Sequence, residues 1–114
     1  MPETYKVLGQ TTLAAVNTYY NICSTGASAS QIISCVTICN RNTFAATYRL
    51  SIGSTSGTPA TSEFIVYDAS IAGNDTISLS LGLVLGNSYY LKAYSGTATY
   101  FANLSFSAFG VEIT

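Results

Sequence analysis

The chain has 114 residues, 48% of them apolar and only 8% charged, with a net charge of −1 and no histidine. That length suits one domain with its own core, and its surface must be far more neutral than that of an average soluble domain, where about a quarter of residues are charged. The charged residues (Glu3, Lys6, Arg41, Arg49, Glu63, Asp68, Asp75, Lys92 and Glu112) form no basic stripe, which excludes an electrostatic footprint for nucleic acid. No apolar run approaches the length a membrane helix needs.

The opening residues, Met1-Pro2-Glu3-Thr4-Tyr5-Lys6, lack the charged-then-apolar layout of a signal peptide, so synthesis in the cytoplasm is expected. Strands are expected over residues 5–10 and 19–23. Residues 31–39 differ, because Ile32, Val36 and Ile38 share one parity and Ile33, Cys35 and Cys39 the other. Apolar residues on both faces mark a central strand, or one whose outer face meets a partner. Over residues 44–52 the alternation is clean: Phe44, Ala46, Tyr48, Leu50 and Ile52 face one way, and Thr47, Arg49 and Ser51 the other. A strand over 63–67 follows. Residues 76–85 place Ile77, Leu79, Leu81, Leu83 and Leu85 on one face, and Gly82 within the run predicts a bulge or a bend. Further strands are expected over 88–94 and 99–109, and the chain ends on Val111-Glu112-Ile113-Thr114.

Turn formers separate these runs: Ser24 to Ser28, Gly53 to Pro59, Gly73-Asn74-Asp75, Gly86-Asn87 and Ser95-Gly96. Helix signals are nearly absent. The pattern predicts an all-β chain over residues 1–114: a single β-sandwich of about eight strands, immunoglobulin-like or jelly-roll, with the two topologies left open.

Little in this sequence carries chemistry. The absence of histidine removes the commonest general base and the commonest transition-metal ligand together. Cys23, Cys35 and Cys39 form an odd set with no CxxC. Cys35 and Cys39 lie about 13 Å apart along one side of a strand, too far to share a metal or bond to each other. Reduced, buried cysteines are expected, with a Cys23–Cys35 or Cys23–Cys39 bridge as the alternative. Asp68 and Asp75 flank a loop and offer oxygens for calcium, but nothing resembles an EF-hand, and Asp75 reads more simply as a turn former. No catalytic residue, cofactor site or metal site is expected.

Tyrosines are the suggestive feature, with nine tyrosines, five phenylalanines and no tryptophan. In each adjacent pair on a strand, Tyr19-Tyr20 or Tyr89-Tyr90, one ring must face away from the core. Tyr90, Tyr94, Phe101, Tyr67 and Tyr20 are the candidate interface residues. Outward tyrosine with little charge fits a protein–protein interface, and Tyr90, Tyr94 and Phe101 would also serve as a stacking platform for a glycan. Low net charge further predicts self-association of the free chain.

Several segments resemble a family of short bacteriophage proteins: Ser34-Cys35-Val36-Thr37-Ile38-Cys39-Asn40-Arg41, Phe44-Ala45-Ala46-Thr47-Tyr48-Arg49-Leu50, residues 67–76, and the ending Phe109-Gly110-Val111-Glu112-Ile113-Thr114. Residues 20–26 depart from it, since relatives often carry a proline turn there. The resemblance implies a virion structural protein with no activity and no cofactor. Expected partners are therefore other virion proteins (the major capsid protein or tail proteins) and further copies of the chain, a trimer being favoured. The expected role is a capsid decoration (cement) protein in the virion, with a tail, neck, baseplate or fibre-base component as the alternative. A receptor- or glycan-binding module is the alternative of another class.

Overall fold

The computed structural model describes residues 3–13, 15–80, 82–97 and 103–114. Among them nine strands form: β1 (Glu3–Thr12), β2 (Tyr20–Ser24), β3 (Ser30–Asn40), β4 (Ala46–Gly53), β5 (Phe64–Ile71), β6 (Thr76–Leu79), β7 (Leu83–Leu85), β8 (Tyr90–Tyr94) and β9 (Leu104–Ile113). One 3-10 turn, Thr61–Glu63, precedes β5.

The pairings have a simple logic. Strand β1 pairs with β9, β2 with β8, β3 with β6 and β7, and β4 with β5, all antiparallel. That is one long hairpin with its bend between β4 and β5. Two more pairings, β3 with β9 and β4 with β8, roll the hairpin up. The products are sheet I, ordered β1-β9-β3-β6 with β7 also on β3, and sheet II, ordered β2-β8-β4-β5. A hairpin rolled into two facing sheets is a jelly roll, whereas an immunoglobulin domain sets A-B-E-D against C-F-G. The chain is an all-β sandwich, and its strand order is the jelly-roll one.

Alternation in each strand decides what the sheets bury between them. Sheet I supplies Ile33, Val36, Ile38, Leu85, Leu104, Phe106 and Ala108, and sheet II supplies Ile22, Ala46, Tyr48, Leu50, Ile71, Leu91 and Ala93. The Tyr48 and Phe106 rings meet edge-on across the gap at 6.3 Å. Each such large apolar side chain contributes roughly 1.5–3 kcal/mol relative to leaving it in water.

Strand β3 is central, between β9 and β6, as residues 31–39 predict, but four details differ. The two parities of residues 31–39 come from a bulge between Ile33 and Cys35, where Ser34 is the extra residue and its hydroxyl donates to the Phe109 carbonyl at 3.2 Å. The bulge resets the alternation, so Ile33, Val36 and Ile38 all point inward while Ile32 points out. Phe44 lies ahead of β4 and is exposed rather than lining the core. The run 76–85 is interrupted: Gly82 has φ +57°, which ends β6 before β7 begins, and Leu81 lies outside the described residues. The last strand runs past residue 109 to Ile113, and Gly110 within it passes so close to the Ile32 carbonyl that any side chain there would collide with main chain.

Candidate functional site

The outer face of sheet II carries a cluster of aromatic and charged side chains built around Arg49. Between the pairs Tyr48–Ala69 and Leu50–Val66, strand β5 has two residues opposite the single Arg49, namely Tyr67 and Asp68. This bulge puts Asp68 at φ 53°, a conformation aspartate tolerates, and aims both side chains at the arginine. Arg49 Nε donates to Asp68 Oδ1 at 2.7 Å and Nη2 to Oδ2 at 3.1 Å, a two-pronged match of fork to carboxylate. Its Nη1 donates to the Tyr19 hydroxyl at 3.0 Å. The guanidinium carbon lies 4.0 Å from the Tyr67 ring centroid and 4.4 Å from that of Tyr94. The hydrogen bonds from Arg49 hold the Asp68 carboxyl below its ordinary pKa, and the same bonds raise that of Arg49. A carboxylate held ionised in this way is a poor proton acceptor at neutral pH.

Lys92 lies on the same face, between Tyr90 and Tyr94 on β8, yet is only 4% exposed. Two loops roof it. Its Nζ donates to Asn21 Oδ1 at 3.1 Å and to the Ser56 carbonyl at 2.8 Å, and sits 4.9 Å from the Tyr90 ring centroid. Burial lowers its pKa, and the Glu63 charge acts the other way. Between the loop at Asn17, Thr18 and Tyr19 and the loop at Ser56, Gly57 and Thr58, a pocket of about 290 Å³ reaches down to Lys92. Beside it is a more apolar depression of about 360 Å³ against Thr61, Phe64 and Tyr67. The Tyr19 and Phe64 rings, 6.1 Å apart, divide the two.

The expected interface residues separate into groups. Tyr90 and Tyr67 do point out from sheet II, and Tyr67 is 60% exposed. Tyr94 also points out but is covered: Tyr19 stacks on it at 4.5 Å, and its hydroxyl donates to Asn17 Oδ1 at 2.7 Å. It therefore offers no open platform. Tyr20 turns inward against the core, and Tyr19 is the outward member of that pair. Phe101 lies outside the described residues. Arg49 and Lys92 are not among the site residues expected from sequence, while Asp68 enters there only as an oxygen donor for calcium and Tyr19 only as one of an adjacent pair. The spacing Tyr90-x-Lys92-x-Tyr94 puts the lysine on the tyrosine face legibly, but the cross-strand pairing of Arg49 with Tyr94 depends on register.

Cys23, Cys35 and Cys39 are free. Cys23 is buried in sheet II, where loss of solvent pushes its thiol up to about 12, while Cys35 and Cys39 lie on β3 of the other sheet. Asp75 Oδ1 accepts from the Thr76 amide at 2.9 Å, as a turn former does, and Asp68 is engaged by Arg49. Among the described residues no cluster of Cys, Asp and Glu forms a metal site, and no helix is long and apolar enough to cross a membrane.

Sheet I has an outer face of another kind. Tyr5 pairs with Val111, Val111 with Ile32, and Ile32 with Val84, so one apolar row crosses β1, β9, β3 and β7. Tyr5 is 82% exposed, Val84 61% and Ile32 42%. The next row holds Val7, Phe109 and Cys35. Lys6 and Glu112 have the opposite parity and pair with each other at 2.7 Å, leaving both rows uncharged.

Compared with protein-family models, with curated proteins and with solved structures, the chain finds no match. The two faces therefore have to be interpreted from their own chemistry.

Proposed function

We propose that the chain is a non-catalytic structural subunit of a phage particle, a capsid decoration (cement) protein that docks through the outer face of sheet I. The observation that carries this reading is the apolar row Tyr5–Val111–Ile32–Val84, in which Tyr5, Ile32 and Val84 are exposed. Such a row spans about 14 Å at the usual strand separation and presents no charge to be desolvated. Uncharged apolar faces of this sort mark protein contact sites on otherwise polar domains. The first occupant is a second copy of the chain, since a neutral face meets itself without like-charge repulsion; such a contact is two-fold, so the expected trimer would join this row to a different patch of the next copy. Sequence resemblance to short phage virion proteins supports the particle setting.

A tail, neck or baseplate location uses the same face and differs in copy number. Quantitative mass spectrometry of purified virions is expected to find hundreds of copies per particle for a decoration protein. Tens or fewer would move the subunit to the tail, and absence from virions would overturn both placements. A receptor- or glycan-binding role is favoured by a separate observation, the Lys92 pocket on the opposite face.

A further inference from the structure

We propose that the outer face of sheet II binds an acidic carbohydrate, with the sugar's carboxylate or sulfate on Lys92 and a neighbouring sugar ring against Tyr67 and Phe64. Lys92 is 4% exposed, and its ammonium group is met by Asn21 Oδ1, the Ser56 carbonyl and the Tyr90 ring, all of them neutral. Among the described residues no carboxylate lies within ion-pair distance of it, Glu63 acting only from farther off, and it lines an open pocket. Fold stability alone is a poor reason to keep a cation in that position, because a buried charge costs free energy unless paired. An anion entering the pocket completes the pair.

The walls narrow the ligand class. Thr18, Ser56 and Thr58 bring hydroxyls and Asn17 an amide, groups that recognise a ligand rich in hydroxyls. A volume of about 290 Å³ lies at the lower end of ligand pockets, a scale suited to a sugar ring. Past the Tyr19–Phe64 divide, Tyr67 remains 60% exposed with Arg49 against one ring face, and Phe64 meets it edge-on at 5.0 Å. Aromatic faces next to a polar pocket suit a chain whose units have one apolar C–H face and a hydroxyl rim.

Competing ligands fit less well. A peptide adding to a sheet needs a free strand edge, and this pocket opens on a sheet face. A nucleic-acid backbone needs a row of cations. Here Arg49 is neutralised by Asp68, so Lys92 stands alone. The site is on the sandwich face opposite the Tyr5–Val84 row, so a subunit docked by sheet I would present it to solvent. The two proposals rest on different residues and fail separately.

The test is a titration of the full chain followed by amide chemical shifts. The probes are a glucuronate-containing disaccharide, a sulfated disaccharide, a neutral glucose disaccharide and sodium sulfate. Saturable shifts at Lys92, Thr58 and Tyr67 are expected with an acidic disaccharide, and whichever acidic probe responds assigns carboxylate or sulfate. The neutral disaccharide should bind at least about tenfold more weakly, and Lys92→Gln, which keeps hydrogen-bonding capacity but removes the charge, should abolish that difference. Tyr67→Ala should weaken the acidic disaccharide without affecting sodium sulfate. The unchanged remainder of each variant's spectrum verifies its fold. No saturable shift at millimolar acidic disaccharide, unaltered discrimination in Lys92→Gln, or binding by sodium sulfate as tight as that of either disaccharide would overturn the proposal.

Discussion

Arg49 shows how one residue can organise a sheet face. It is held by Asp68 through two hydrogen bonds, by the Tyr19 hydroxyl and by the rings of Tyr67 and Tyr94. Lysine cannot reproduce the planar fork or its stacking. Arg49→Lys is expected to cost about 1 kcal/mol in denaturant unfolding, a figure kept small because Asp68 is partly open to screening water. The same contact sets a pH dependence. The folded Asp68 carboxyl is held below its ordinary value of 3.8, so the unfolded chain binds its proton first. The pair therefore contributes its full stability above that value and loses it as pH falls through the folded value. Asp68→Asn should flatten the acid limb of a stability–pH curve, and an unchanged limb would contradict the assignment.

At the scale of elements, the joints between strands depend on side chains that substitute for missing ladder bonds. Asn40, the last residue of β3 and 1% exposed, donates through Nδ2 to the carbonyls of Phe44, Ile71 and Ala72, while its Oδ1 accepts from the Asn42 amide. It fastens the β3–β4 turn to the end of β5. Asn40→Ala leaves several buried groups unpaired and is expected to cost about 2–4 kcal/mol, read as a lower denaturation midpoint at unchanged slope. Period-two alternation made most strands legible, because burial on one face writes itself directly into the order of residues. The Ser34 bulge was not legible, since an extra residue leaves the same composition and only resets the parity. Nor was the inward turn of Tyr20. Either member of Tyr19-Tyr20 can face out, and the choice follows from pairing Tyr20 with Ala93. The Arg49 cluster was hidden for a similar reason, as its members come from β4, β5, β8 and the segment before β2.

At the scale of the molecule, a rolled hairpin brings the two ends of the chain together as β1 against β9, and joins β3 to β9 and β4 to β8 over long sequence separations. The result is a sandwich whose two outer faces differ. Sheet II carries Arg49, Asp68, Lys92 and a pocket; sheet I carries two uncharged rows with Tyr5, Ile32 and Val84 in the open. On the proposed reading, sheet I meets the neighbouring copy and sheet II remains free. Val84→Asp places a charge at the β7 end of the contact row, on a side chain 61% exposed and clear of the core, so it should leave the fold intact and disrupt only assembly. Sedimentation velocity at micromolar protein tests this most directly. The account predicts a defined oligomer for the wild-type chain and a monomer for Val84→Asp; a wild-type chain that sediments as a monomer, or a variant that stays assembled, would contradict it.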